Sequence, residues 1–416
     1  MHSHTRSPTS SNHHLHDHDE NCAGGERLRV TADGDCEASE QEAEANALMD
    51  VVAAFLSYKT FVLNSGIYRR LHHIDELSER HREIVSSLGT IDKIKNAEKL
   101  VRENYKFVLG LVHSSSVGEM PNPVDDPEEF KRWYQSFCES RTRAGSAMAK
   151  SSHMEKVLST LKQFVRDWSE EGERERAQTY GPILQALEDE FAHVAPRDRG
   201  NIHVLVPGAG LGRLAFDICC RGFSCQGNEF SYFMLLASNF ILNKSEVVNQ
   251  HTIYPFVHQF SNVVSASDQL RAVRVPDVLP SEMPYAETAR FSMSAGDFIE
   301  IYGAEDQWAQ WDAIVTCFFM DTANNVLAYL DAMWNAMKPG AVWINIGPLL
   351  WHFDNIEGES SIELTRDEFV ALVTKVGFVM EEQQFKKRIS ATYTANSRSM
   401  LQYTYHSFMC VARKPE

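Results

Sequence analysis

Residues 202–229 read IHVLVPGAGLGRLAFDICCRGFSCQGNE, and this stretch decides the fold. Its opening, Ile202-His203-Val204-Leu205-Val206, is apolar and rich in β-branched residues, the pattern of a buried strand in a parallel sheet. Pro207-Gly208-Ala209-Gly210-Leu211-Gly212 then makes a tight turn. From Arg213 to Ile218 the chain resumes with helical spacing, and a short strand near Phe223 to Gln226 ends at Asn228-Glu229. Strand, glycine turn, helix, strand and acid are the first unit of a doubly wound α/β nucleotide-binding sheet. The glycines let a ligand lie against bare backbone, and the helix start presents unpaired N–H groups. An acid at the second strand end can accept ribose hydroxyls.

The spacing also bears on the ligand. Dinucleotide folds carry G-x-G-x-x-G, with the helix start facing a pyrophosphate. Here the pattern is G-x-G-x-G, and Arg213 stands where the third glycine would be. That shift favours a nucleotide ligand without a pyrophosphate, S-adenosyl-L-methionine. A glycine turn by itself also occurs in sheets that bind nothing; the spaced strand and Glu229 are what favour binding.

Composition narrows the class. The chain has 416 residues, 43% hydrophobic and 23% charged, enough for a sizeable core in two domains or one elaborated domain. The formal net charge of -17 argues against a nucleic-acid backbone or an anionic membrane surface as partner. A neutral or cationic small molecule is compatible with it. No stretch reads as a membrane-spanning helix, and the N-terminus has no apolar signal core. The eight cysteines include no C-x-x-C pair, so no structural zinc site is expected and no metal is assigned. Reduced thiols in the cytoplasm, or also the nucleus, are expected.

Residues 1–40 are polar, with six histidines between His2 and His18, and read as a disordered tail. Residues 41–195 read as a helical region, with helices at 91–111, 154–168 and 179–191 and a helix start at Asp126-Pro127. Its expected roles are structural: a cap, a lid wall or a homodimer surface. Residues 196–416 read as the sheet domain, interrupted near 250–285 by a proline-bearing insertion over the site. Further strands are expected at 290–293, 311–318 and 341–347, the last entered through a Lys338-Pro339-Gly340 turn. Thr365 with Glu368 has capping-box spacing, and Gly377 marks the stop of that helix. Segments 378–386 and 403–413 close the sheet as antiparallel strands.

Ligands of open α/β sheets bind beyond the carboxyl ends of the strands. Those ends carry Gly208, Glu229, Asp297-Phe298, Cys317 with Asp321, and Gly347 with His352. Asp297 can accept from an adenine amino group and Phe298 can cover its ring. Taken singly, each has a plain structural role as well. Gly296-Asp297-Phe298 makes a turn, Asp321 caps a helix, and His352 packs in the apolar run Leu349–Phe353. Cys317 is a buried thiol, and the tyrosines are core.

The order of these parts resembles the class I S-adenosylmethionine-dependent methyltransferases, with their Rossmann-like sheet. More closely, the chain from about residue 150 is similar to the carnosine N-methyltransferase family. The shared motifs are KQFVRDWS (162–169), VLVPGAGLGRLAF, QGNEFS, AGDFIEIY, TCFFMDTANN, KPGAVWINIGPLLWHF, SIELT and ATYTAN. The resemblance implies cofactor contacts at Gln163, Arg166, Gly208, Glu229, Asp297, Phe298 and Cys317. It implies substrate contacts at Asp321, His352, Tyr393, Tyr403 and Tyr405, with Asp321, His352 and Tyr405 in catalysis. Thr404 departs from the family, which often carries another tyrosine there.

The chemistry asks for little. Methyl transfer needs a lone pair aimed at a sulfonium methyl in near-attack geometry, with little water. A free imidazole is largely neutral at neutral pH, but it needs the right tautomer. Asp321 can fix that by accepting from the far N–H and stabilising the imidazolium formed. His352 can position the ring, Tyr403 and Tyr405 share one face if both lie on a strand, and Arg166 can pair with the cofactor's carboxylate. The expected reaction is N-methylation of the imidazole of carnosine, or a related histidine dipeptide, to anserine. Competing readings are a protein histidine methyltransferase, a non-catalytic S-adenosylmethionine-binding scaffold, and an NAD-dependent dehydrogenase. Arg213 and the lack of a visible hydride-transfer acid weigh against the last.

Overall fold

The structure is a computed structural model that describes residues 35–115, 119–143, 145, 149–381 and 388–416, with side chains from residue 42. The histidines of the tail lie outside the described residues. Five helices open the fold: α1 (Asp35–Val62), α2 (Arg69–Asp75), α3 (Glu79–Ser87), α4 (Thr90–Ser114) and α5 (Pro127–Arg143). They are followed by α6 (Ser151–Trp168) and α7 (Glu173–Glu190). The expectation that no stretch could span a membrane needs correction. The helical run Glu42–Asp75, continuous through a π-helical turn at Leu63–Tyr68, is by length and composition apolar enough to cross a membrane. Its buried residues, Val51 to Ile67, pack in one core with Ile94–Val112 of α4 and Met154–Trp168 of α6. Its apolar character therefore serves packing between helices.

The sheet follows in chain order. It comprises β1 (His203–Pro207), α8 (Arg213–Cys219), β2 (Ser224–Glu229) and α9 (Tyr232–Asn243). The insertion contributes β3 (His251–Ile253), α10 (Ala266–Gln269) and β4 (Val273–Val275). Then come β5 (Phe291–Ala295), α11 (Phe298–Tyr302), β6 (Trp311–Cys317), α12 (Val326–Ala336) and β7 (Met337–Gly347). The chain closes with α13 (Arg366–Val376), β8 (Val379–Met380), β9 (Arg388–Ala391) and β10 (Tyr405–Arg413). Lys338-Pro339-Gly340 is not a turn before the strand; it lies within β7, whose first residue Met337 pairs with Trp311 across a register shift. The expected strand over 378–386 is only Val379–Met380 within the described residues.

The main sheet has eight strands in the order β5-β2-β1-β6-β7-β10-β8, with β9 on β10. Strands β5, β2, β1, β6 and β7 run parallel, and β10 is antiparallel to β7. The order reverses beside β1, with β2 and β5 to one side and β6 and β7 to the other. That switch point opens the cleft at the carboxyl ends.

Side-chain alternation divides the core. Val204 and Val206 enter one layer with Ile183 and Leu187 of α7 and Leu214 and Ile218 of α8. Leu205 enters the opposite layer with Leu330 and Met333 of α12 and Phe369 of α13. A third core joins α1, α4 and α6 to α9 and to Ile253, Val273 and Val275 of the hairpin β3–β4. It thus runs across the boundary near residue 195. Buried Asn104 ties these pieces together, donating to Tyr58 Oη and the Tyr254 carbonyl at 2.9 Å each and accepting from Tyr254 N at 2.7 Å.

Candidate active site

The glycine turn is left-handed at Gly208 (φ 65°), Gly210 (φ 56°) and Gly212 (φ 81°). A Cβ at Gly208 would come within 2.6 Å of the Phe319 ring, so both conformation and space require glycine. A Cβ at Gly210 would meet only Asp167 Oδ2, at 3.8 Å, so the outer side of the turn is open to a ligand. That bare cradle, with an acid at the next strand end, fits a nucleoside-bearing cofactor.

Glu229 ends β2 and is buried. Its Oε2 accepts from Gly210 N at 2.8 Å, and its Oε1 accepts from Phe230 N at 3.0 Å and Ser231 N at 2.8 Å. Burial raises its pKa and these backbone donors oppose the rise. Three of roughly four acceptor positions on the carboxylate are thus taken by the protein. One ribose hydroxyl can be accepted as the site stands, and a second must displace a backbone bond. Asp297 caps α11, its Oδ1 accepting from Ile299 N at 2.8 Å and Glu300 N at 3.1 Å. Phe298 is buried, stacked on Tyr302 and edge-on to Phe319 and Tyr329. It forms the floor of an aromatic cluster.

At the end of β6, Cys317 is a free thiol whose pKa burial pushes up to about 11, with Arg166 opposing. The next residue, Phe318, has φ 56°, a conformation costly for a bulky side chain. Its N–H is fixed on the Ile346 carbonyl at 2.8 Å. The ring this projects stacks on Tyr393 (centroids 5.0 Å apart) and meets Tyr405 edge-on at 5.5 Å. A strained aromatic at a strand end thus becomes the platform on which two sequence-selected tyrosines converge.

Asp321 lies in a short 3-10 turn, Met320–Thr322, and is 3% exposed. Its Oδ2 accepts from Leu350 N at 2.9 Å, and its main-chain carbonyl accepts from His352 N at 3.0 Å. The helix after it is capped by Asn325, not by Asp321. Burial lifts the Asp321 carboxyl from 3.8 to about 7, opposed by the Leu350 N–H. The loops after β6 and β7 are thereby tied together, bringing Asp321 and His352 to one place. Tyr403, by contrast, precedes β10 and is 44% exposed. Tyr403 does not share a strand face with Tyr405, because the strand starts only at Tyr405.

Gln163 and Arg166 lie on α6 against the same platform. Gln163 Nε2 donates to Tyr393 Oη at 2.7 Å, and the Arg166 guanidinium lies 4.7 Å from the centre of the Tyr393 ring. Arg166 already has acidic neighbours, although its buried Nε makes no hydrogen bond. Its Nη1 donates to Asp167 Oδ1 at 2.9 Å and Tyr180 Oη at 2.7 Å, and its Nε lies 3.1 Å from Glu175 Oε1. Its charge is already met inside the protein, and its pKa is raised accordingly.

Two groups escape a reading of the sequence. Buried Glu175 on α7 accepts from Thr394 N at 2.7 Å and from Ala395 N and Thr392 Oγ1 at 3.1 Å each. It pins the segment that presents Tyr393, including Thr394 at φ 48°. Asp277 of the insertion accepts from Arg176 Nη2 and Arg213 Nη1 at 2.6 Å each. Arg213 also donates to the Asp167 carbonyl at 2.7 Å and to Asp217 Oδ1 at 2.9 Å. The residue that replaces the third glycine thus clamps the glycine turn to α6 and to the insertion. No sequence signal marks either group, because the partners lie 64 to 220 residues apart.

The insertion closes over the same segment. Asn396 Nδ2 donates to Gln259 Oε1 at 3.2 Å, Arg271 Nη2 donates to Asn396 Oδ1 at 3.0 Å, and Val263 bridges Ser399. Cleft walls therefore come from α6, the insertion and residues 392–400.

A parallel sheet with a switch point at β1, an antiparallel β10 beside β7 and this cradle define the class I methyltransferase fold. The profile described as "Carnosine N-methyltransferase" matches residues 144–416, and the chain belongs to the carnosine N-methyltransferase family. The mouse protein of that name is 46% identical over 382 residues, covering 91% of this chain and 88% of its own. The Schizosaccharomyces pombe protein of that name is 36% identical over 385 residues, covering 89% and 96%. Among solved structures, Haemonchus contortus phosphoethanolamine N-methyltransferase 2 with bound S-adenosyl-L-methionine aligns at 12% identity and a TM-score of 0.37. It covers 64% of this chain and 59% of that one.

Proposed function

We propose that this protein transfers a methyl group from S-adenosylmethionine to an imidazole nitrogen of carnosine or a related histidine dipeptide, giving anserine or its counterpart. The observation that carries the reading is Asp321, a buried carboxyl at the β6 end, joined through backbone to His352 and raised to about 7. A carboxyl in that range suits an imidazole, whose own pKa is near ~6.5. The family names of the relatives support the choice of substrate.

When bound, S-adenosylmethionine supplies an electrophilic methyl carbon on a sulfonium. The open turn at Gly208–Gly212, Glu229 and Asp297 would hold its nucleoside end, with Cys317 and Phe298 lining the floor. Asp321 Oδ1 would accept the far N–H of the substrate ring, leaving the attacking nitrogen bare. As the ring becomes an imidazolium, the Asp321 carboxylate stabilises that charge and can take its proton. Phe318, Tyr393 and Tyr405 flank the ring and exclude water. Arg166, paired within the protein, acts by positioning Tyr393. We expect a reducing, cytosolic or nuclear setting for this reaction.

The test is methyl transfer from labelled S-adenosylmethionine, with carnosine in one tube and a peptide and protein extract in another. Label in a dipeptide-sized product supports the reading. Label only in protein moves the acceptor to a protein histidine. Cofactor binding with no transfer would leave a scaffold.

A further inference from the structure

We propose that Asp167 receives the α-ammonium of S-adenosylmethionine at the glycine turn, an assignment that rests on the function proposed above. Asp167 is the last residue but one of α6 and is 2% exposed. Two hydrogen bonds between α6 and the turn fix its place. Trp168 Nε1 donates to the Leu211 carbonyl at 3.1 Å, and Arg213 Nη1 donates to the Asp167 carbonyl at 2.7 Å. The side chain is oriented as well: Oδ1 accepts from Arg166 Nη1 and Tyr180 Oη at 2.9 Å each. Its other oxygen, Oδ2, has no hydrogen-bond partner among the described residues. That oxygen is aimed at the turn, for a Cβ at Gly210 would lie 3.8 Å from it and within 4 Å of no other atom. Gly210 also gives its N–H to Glu229 Oε2 at 2.8 Å. The glycine thus stands between two buried acids, one bonded to backbone and one with an oxygen left over.

The charges around Asp167 point to a cation. Arg166 is shared by Asp167 and Glu175, Arg176 pairs with Asp277, and Arg213 pairs with Asp277 and Asp217. Three guanidiniums therefore face four carboxylates, and the network keeps one negative charge in excess. The C-terminal end of α6 adds partial negative charge and does not relieve it. A buried carboxylate oxygen without a partner is costly, and a cationic donor set against it removes that cost. S-adenosylmethionine carries two cationic groups, the sulfonium and the α-ammonium, and only the ammonium has N–H groups to donate. Glu229 serves the ribose, so Asp167, across Gly210 from it, is left for the amino-acid end.

The experiment measures dissociation constants by calorimetry for S-adenosylhomocysteine and for its desamino analogue, which keeps the carboxylate and lacks only the amino group. S-adenosylhomocysteine has no sulfonium charge, so the pair isolates the ammonium. Both are titrated into wild type and Asp167→Asn, which keeps an acceptor for Tyr180 Oη. A charge-assisted contact predicts that wild type prefers S-adenosylhomocysteine by about 10- to 100-fold. Asp167→Asn should reduce that preference to within about threefold of unity, while the desamino analogue binds variant and wild type within about threefold of each other. A wild type that does not distinguish the two ligands overturns the assignment without any variant. So does a preference that survives Asp167→Asn, or a loss of equal size for both ligands, which would make Asp167 a structural support of the turn. Wild type that binds neither ligand would overturn the cofactor itself, and the assignment with it.

Discussion

Replacing Asp321 by asparagine separates the two things this carboxyl does. The amide oxygen can still accept from Leu350 N, so the loop joining Asp321 to Leu350 keeps its hydrogen bond. What is lost is the ionisation. In the unfolded chain the carboxyl titrates near 3.8, and in the folded protein near 7. Between these values the folded protein holds a proton that the unfolded chain has released. The stabilisation is complete below about pH 4, falls as pH rises towards 7, and is constant above. At about 1.4 kcal/mol per pH unit the full effect is on the order of 4 kcal/mol, of which roughly 2–3 falls between pH 5 and pH 8. An amide at this position has no such dependence. Asp321→Asn should therefore gain on wild type by roughly 2–3 kcal/mol from pH 5 to pH 8, or about 3 °C in Tm for a chain of this size. Thermal and urea unfolding of both proteins at the two pH values measures it, and the difference between variants cancels the other titrating groups. Turnover should fall by about two to four orders of magnitude while cofactor affinity is retained. A stability difference equal at both pH values would refute the argument that burial holds this carboxyl near neutrality. Intact turnover would refute its role towards the imidazole.

Gly208→Ala adds a Cβ 2.6 Å from the Phe319 ring at φ 65°, and should weaken cofactor binding at least tenfold by calorimetry. Glu229→Ala should cost cofactor affinity far more than turnover at saturating cofactor, the reverse of Asp321→Ala. Glu175→Gln leaves Arg166 with less compensating charge and removes one acceptor from the Thr392–Ala395 turn; it should destabilise the fold by about 3 kcal/mol and raise the KM for the acceptor. Arg213→Gly, which restores the dinucleotide spacing, breaks the pairs to Asp277 and Asp217; it should lower the urea midpoint and confer no NAD binding in a titration.

Periodicity and local chemistry are legible in a sequence because they depend on neighbours within a turn or two. The β1–turn–α8–β2 unit, the strands near 291, 311 and 341, and the Thr365–Glu368 capping box all follow from that, and the structure has each of them. The series of strand ends from Gly208 to Asp321 was legible as well, because a parallel sheet places the carboxyl ends of its strands along one edge. Tertiary structure alone decided what those residues touch. Tyr403 looked equivalent to Tyr405 until the start of β10 was known. Arg166 looked like a free cation until Glu175, Asp167 and Tyr180 enclosed it. Phe318 carried no mark of its left-handed backbone, since the conformation is held by pairing with Ile346 on another strand and not by its own side chain. Nor could spacing show that Asp321 titrates near neutrality: desolvation depends on everything packed around a carboxyl, and the chain brings those groups together only when it folds.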